Sequence, residues 1–268
     1  MRSNLKLTKT NDFVTDGKAE VTAIFLHGIA SDSSSFNTFF EYLREKKIPG
    51  VRVVSYDLLG VGQSPKSDEY NYDLDEQMAA IENSLAELDV DTPIVICGHS
   101  MGTMLAERLV DKYIRIGRGH MIVTGTPPEE SGMLVESKVA PAGTILRMVL
   151  ISAPVYTADD IKNPIFDIAM EKFCEAVAER DAEIVKSKVF QNELESIIKN
   201  PENYQYLVQA SVPTTMIYGK KDNIIAAFNY PGVLEKNPLI KAVETEGAHG
   251  VSPEKFTAIV DAIKGKTE

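Results

Sequence analysis

Short unbroken apolar runs alternate along the chain with segments of helical periodicity. VTAIFLHG (21–28), GVRVVSYD (50–57), PIVICG (93–98), RMVLISAP (147–154), TTMIYG (214–219) and LIKAVE (239–244) are the apolar runs. Runs of this kind are strands buried on both faces. Between them, FNTFFEYLREKK (36–47) sets Phe36, Phe39, Phe40 and Leu43 on one helical face, with Lys46 and Lys47 in its last turn. LDEQMAAIENSLAEL (74–88) is amphipathic, and Asp73 with Glu76 gives it a capping-box-like start. MGTMLAERLVDKYI (101–114) reads as a helix, and PEKFTAIVDAIKG (253–265) as a closing helix with Pro253 in its first turn. NLKLTK (4–9) and DFVT (12–15) read as an N-terminal hairpin turning at Thr10 and Asn11.

The alternation predicts an α/β fold, a mostly parallel, doubly wound sheet with right-handed crossovers and helices on both faces. Two segments break the rhythm. Residues 154–213 carry no strand and read as several helices, with Asn200 and Pro201 as an N-cap and first-turn pair for one of them. Such an insertion suggests a cap over one end of the sheet, so the core comprises 1–153 and 214–268 and the cap 154–213. Residues 116–146 hold five of the 17 glycines and three of the 13 prolines. Within them, HMIVTG and GMLVES flank TPPEES, a pattern for a protruding hairpin or for a flexible excursion. An oligomer contact, a second lid and a passive insertion are all open readings of this segment.

The chain has 268 residues, 44% of them hydrophobic and 25% charged, an ordinary globular composition with ample material for a core. A formal charge of −11 with no long Lys/Arg run argues against nucleic acid as a partner. The two cysteines, Cys97 and Cys174, give neither a disulfide framework nor a metal-site spacing, and Cys97 reads as a small buried hydrophobe. No run approaches a membrane span, and MRSNLKLTKTND lacks the apolar core of a signal peptide. The expectation is a cytoplasmic protein that uses no membrane.

The candidate chemistry is in CGHSMGT (97–103), where Gly98 and Gly102 flank Ser100 between a buried strand and a helix. A nucleophilic serine needs an exposed Oγ on a rigid support, and a very tight strand-to-helix turn supplies one. Such a turn strains the serine backbone and crowds its neighbours, so only small residues fit two places either side. The following helix directs its N-terminal N–H groups at developing negative charge. G-x-S-x-G is a weak pattern alone; the strand before it and the helix after it make it a nucleophile elbow.

Taken in order, FLHG (25–28), YDLLGVGQS (56–64), GHSMG (98–102), YGKKD (218–222) and GAHG (247–250) resemble the α/β-hydrolase superfamily over nearly the whole chain. The resemblance implies the α/β-hydrolase fold, an eight-stranded, mostly parallel sheet with a helical cap after the sixth strand. Serine needs a base, and histidine suits neutral pH. Of the four histidines, His249 matches the family's base position. His27 lies in the structural HG turn, His99 should point away from Ser100, and His120 lies in the glycine-rich segment. Asp222 matches the acid that fixes the tautomer of the base. Asp57 matches a structural turn, and Asp159 and Asp160 read as capping residues of a cap helix with Thr157 as N-cap. The resemblance places the oxyanion donors at the backbone N–H groups of Ile29 and Met101.

These roles imply acyl transfer to Ser100 followed by hydrolysis, with no metal or organic cofactor. The expected substrate is a small-molecule carboxylic ester. The single HG, in place of HGGG, argues against tertiary-alcohol esters. Phe166, Ile168, Phe173, Tyr204 and Tyr206 are candidates for an apolar acyl pocket, although packing of the cap explains such residues equally. A cap of this size favours short to medium acyl groups. The alternatives are a carbon–carbon bond hydrolase, a thioesterase, a peptidase, or a slow-turnover binding protein on the same fold.

Overall fold

The computed structural model describes residues 5–118, 121–126, 140–225 and 229–266. Its strands are β1 (Thr8–Val14), β2 (Val21–Leu26), β3 (Val51–Asp57), β4 (Ile94–His99), β5 (Tyr113–Arg115), β6 (Ile122–Val123), β7 (Ile145–Ile151), β8 (Thr214–Gly219) and β9 (Ile240–Thr245). Seven of them form one sheet in the order β1-β3-β2-β4-β7-β8-β9. Only β1 is antiparallel to its neighbour; the rest of the sheet is parallel.

Alternate residues of each buried strand feed two apolar layers. Ile24 and Leu26 of β2, with Ile94 and Ile96 of β4, pack beneath α2 (Leu74–Ala86) and α3 (Met101–Lys112). Ala23, Phe25, Val95 and Cys97 face α1 (Asn37–Glu45) on the opposite side. There Phe36, Phe39 and Phe40 surround Phe25 with ring centroids 5.1–6.0 Å apart. The closing helix lies in the same layer, with Phe256 5.2 Å from Phe39. Burial on both faces explains why these strands read as continuous apolar runs.

Among the described residues the sheet has seven strands, one fewer than the eight that the resemblance implies. The difference lies at the N-terminus. The expected hairpin at Thr10 and Asn11 is a single strand, β1, with a register shift between Lys9 and Asn11. Thr10 Oγ1 donates to Ser55 O at 3.2 Å, and Asn11 Nδ2 donates to Ser55 Oγ at 2.9 Å. The polar TKTND run therefore makes a bulge on β3, not a turn.

Three other boundaries differ. α3 ends at Lys112 and not at 114, because Tyr113–Arg115 leaves the helix to pair antiparallel with Ile122–Val123. HMIVTG thus contributes a strand, but it pairs backwards along the chain; GMLVES lies outside the described residues. Asn200 Oδ1 accepts from Glu202 N at 3.0 Å within a turn, and the helix expected at Pro201 begins at Asn203. In α2, Asp73 caps Glu76 N at 2.9 Å, whereas the Glu76 carboxylate reaches back to the N–H groups of Asn71 and Tyr72.

Between β7 and β8 the described chain is helical: α4 (Ala158–Ile161), α5 (Pro164–Arg180), α6 (Ala182–Lys186), α7 (Lys188–Glu193), a π turn (Leu194–Ile198) and α8 (Asn203–Val208). Thr157 and Asp160 form a full capping box on α4. Phe166, Met170 and Val177 give α5 one buried face. This helical segment is bonded to the sheet domain through buried polar pairs. Gln77 Nε2 donates to Glu193 at 2.9 Å, and Arg108 Nη1 donates to Asn203 Oδ1 at 2.6 Å. α9 (Tyr230–Lys236) and α10 (Pro253–Ile263) complete the fold, with Pro253 in the first turn of α10. No described helix is long and apolar enough to cross a membrane.

Candidate active site

Ser100 occupies the step from β4 to α3 with φ 52° and ψ −122°. A positive φ at a residue with a side chain is strained and persists only where the surroundings enforce it. They do so here through Ser100 N, which donates to Ile151 O at 2.9 Å, and Thr103 Oγ1, which donates to Ser100 O at 2.7 Å. The flanking glycines are sterically required. A Cβ on Gly98 would lie 2.5 Å from Gly102 O, and one on Gly102 would lie 2.2 Å from Leu26 O.

The turn after β2 lies against the same serine, where a Cβ on Gly28 would be 3.0 Å from Ser100 Cβ. Ile29, the next residue, therefore sits beside the elbow. Neither Ile29 N–H nor Met101 N–H donates to an acceptor among the described residues. His27 is buried, and Leu58 N–H donates to its Nε2 at 2.9 Å while Nδ1 lies 2.9 Å from Gly28 O. The ring is thus the Nδ1–H tautomer, and burial pushes its pKa down. Asp57 Oδ1 and Oδ2 accept from Ser33 N and Gln63 N. Both residues hold turns together.

His249 follows β9, and Asp222 follows β8. Their side chains meet with His249 Nδ1 2.9 Å from Asp222 Oδ2. Asp222 Oδ1 accepts from Ile224 N at 3.0 Å and Ile225 N at 3.1 Å. Burial opposes the charge on Asp222, but the His249 bond and charge and the two N–H groups outweigh it and hold the carboxyl below its ordinary range. An ionised Asp222 makes His249 Nδ1 the donor, which leaves Nε2 with its lone pair. Ser100 Oγ makes no hydrogen bond among the described residues.

The His99 ring packs 5.1 Å from that of His249. Burial pushes its pKa down to about 3, so it stays neutral. Two further residues meet the His249 loop, Ser152 and Lys255. Sequence reasoning singled out neither, because their partners are main-chain carbonyls, which leave no side-chain signature. His120 lies outside the described residues.

Two cavities lie near these loops, although neither is lined by Ser100, Asp222 or His249. One of about 400 Å³, between the loop after Ile29 and the inserted helices, is lined by apolar Ala30, Val61, Ile184, Val189 and Phe190 and by charged Asp32, Lys66, Asp181, Glu183 and Glu193. The other, about 370 Å³, is lined by Tyr156, Phe166, Ala169 and Ile224 beside the Asp222 loop. The five aromatic and aliphatic candidates are dispersed. Phe166 lines the second cavity and packs 4.9 Å from Tyr156. Ile168, two residues on and on the other side of the helix, is 52% exposed. Phe173 stacks on Phe190, Tyr204 lies under Lys236, and Tyr206 lies under Arg108.

Comparisons with known proteins agree with this architecture. The probable lysophospholipase BODYGUARD 1 of Arabidopsis thaliana is 33% identical over 100 residues, 37% of this chain but only 21% of that protein. The chain thus matches about a fifth of that relative's length. A thioesterase domain from the curacin biosynthetic pathway superposes with a TM-score of 0.60 at 16% identity, covering 92% of this chain and 91% of that one. An esterase from Exiguobacterium antarcticum gives 0.58 at 15% identity, covering 97% and 94%. At these identities the structures share the fold. The model of the alpha/beta hydrolase family matches residues 23–248, from β2 through the loop that carries Asp222 to the threshold of His249, and this chain belongs to that family.

Proposed function

We propose that this protein is a serine hydrolase that cleaves small-molecule carboxylic esters through an acyl-enzyme on Ser100. The Asp222–His249 pair at 2.9 Å carries the reading, together with the strained elbow at Ser100, whose neighbour His99 packs 5.1 Å from the His249 ring. Ser100 Oγ attacks the ester carbonyl while His249 Nε2 takes its proton. The oxyanion forms at the Ile29 and Met101 N–H groups, and donors fixed in advance favour it over the ground-state carbonyl. His249 passes the proton to the departing alkoxide, leaving an acylated serine and a free alcohol. Water, deprotonated by His249, then attacks the acyl carbon, and the collapse returns the proton to Ser100 and releases the acid.

An ester substrate is in keeping with relatives named as an esterase and a probable lysophospholipase. We assign the acyl group to the cavity of about 400 Å³, whose wall holds Ala30, the residue after Ile29, with Val61, Ile184 and Phe190 as its apolar part. That volume is at the low end of ligand pockets, roughly 300–1,000 Å³, and favours short to medium acyl groups. The test is a p-nitrophenyl ester series from acetate to decanoate with the wild type and Ser100→Ala. Turnover that vanishes in the variant and peaks at short to medium chains supports the reading. Turnover that survives in Ser100→Ala refutes it.

A further inference from the structure

Lys255 is an unusual lysine. It lies in the first turn of α10, and its side chain is fully buried. Its Nζ donates to Ser152 Oγ at 2.8 Å, His249 O at 3.1 Å and Gly250 O at 3.0 Å, and also to Ala248 O. No carboxylate is bonded to it among the described residues. Three successive carbonyls around His249 thus turn inward onto one ammonium group.

The carbonyl of His249 is the centre of this arrangement. Besides Lys255, it accepts from Ser152 Oγ at 2.7 Å and from His99 Nε2 at 3.1 Å. Ser152 itself has φ 52°, a strained conformation that aims its hydroxyl at the loop. These donors come from α10, the end of β7 and the end of β4, three elements that are far apart in sequence. An apolar side chain at 255 would take the ammonium donor from Ala248 O and Gly250 O and leave His249 O to Ser152 and His99 alone, so the cation has a specific use in tying 248–250 together.

We propose that Lys255 is a positioning residue for His249: its buried ammonium, with Ser152 and His99, clamps the main chain of 248–250 and fixes where the ring presents Nε2. This rests on His249 acting as the base. The charge on the ammonium is part of the clamp, since a neutral amine has fewer N–H donors and binds carbonyls more weakly. The groups facing it are Asp222 and Glu254, whose negative charges favour the ammonium, and the rings of His99 and His249. Burial outweighs the two carboxylates and pushes Lys255 down to about 8. The clamp should therefore loosen just above neutral pH.

The experiment measures, from pH 6 to 10, the rate at which a fluorophosphonate labels Ser100 in the wild type, Lys255→Met and Ser152→Ala. In parallel, proton NMR follows the low-field His249 Nδ1–H resonance. Wild-type labelling should fall with a midpoint near 8. Lys255→Met should label about 10- to 100-fold more slowly at pH 7, the cost of a misplaced catalytic group, and should lack that alkaline fall. Ser152→Ala should show a smaller loss, and the proton resonance should shift or broaden in both variants. A Lys255→Met variant with the wild-type rate and alkaline limb overturns the proposal. If Lys255→Met does not fold, an unchanged rate and resonance in Ser152→Ala overturns it. If the wild type is not labelled at all, the serine-hydrolase reading is what fails; the resonance then decides the clamp by itself, and an unmoved signal in the variants refutes it.

Discussion

His249 Nδ1 lies 2.9 Å from Asp222 Oδ2, and the other oxygen of the same carboxylate is held by Ile224 and Ile225 N–H. Both oxygens are occupied, so the carboxylate has one orientation and the imidazole one tautomer. Asp222→Asn keeps the shape but offers an amide in place of an ionised acceptor. The expected outcome is a fall in kcat of about 10³–10⁴-fold with the melting temperature little changed. Steady-state kinetics beside a thermal melt check it.

The elbow glycines give a steric prediction. With Leu26 O 2.2 Å from the position of a Gly102 Cβ, Gly102→Ala must move β2 or α3. The expected loss of stability is about 1–3 kcal/mol, the range for forcing extra atoms into a packed interior. Denaturant unfolding measures it, and a fall in ester turnover at a temperature where the variant is folded shows that the serine has moved too.

Glu107 gives stability a pH dependence. It is buried, its Oε1 has no partner among the described residues, and burial pushes its carboxyl up to about 8 against the pull of Arg108. The folded state keeps a proton that the unfolded chain releases at about 4.5. The contribution is therefore complete below about 4.5 and is lost as pH rises to about 8. The slope is at most about 1.4 kcal/mol per pH unit. Melts at pH 5 and pH 8 should show a larger drop in the wild type than in Glu107→Gln.

The two cavities can be told apart by the acyl chains they admit. Ile184→Trp narrows the cavity beside Ala30 and should move the ester optimum to shorter chains. Phe166→Ala enlarges the one beside Ile224 and should leave the optimum in place. The converse pattern in the chain-length series would put the acyl group against Phe166.

Much of this architecture is legible in the sequence, for physical reasons. Strands buried on both faces must be apolar throughout, so β2, β4, β7 and β8 stand out as runs. The crowding at Gly98 and Gly102 leaves a composition signal, and so do the turns held by His27 and Asp57. The N-terminal strand misled because the same polar residues that make turns also make bulges; only the bonds from Thr10 and Asn11 to Ser55 distinguish them. The aromatic residues of the inserted helices could not be sorted, since packing against Phe190 and lining a cavity require the same side chains. Lys255 was illegible because a lysine on an amphipathic helix reads as solvated surface, and its acceptors belong to the main chain.

The central claim is a covalent acyl intermediate on Ser100. Mixing the protein with excess p-nitrophenyl butyrate, quenching with acid during turnover and mapping peptides by mass spectrometry tests it directly. A butyryl group is expected on the peptide that carries Ser100 and is absent in Ser100→Ala, which also fails to release p-nitrophenol above background. An acyl group on another residue that persists in Ser100→Ala, with turnover intact, would contradict it.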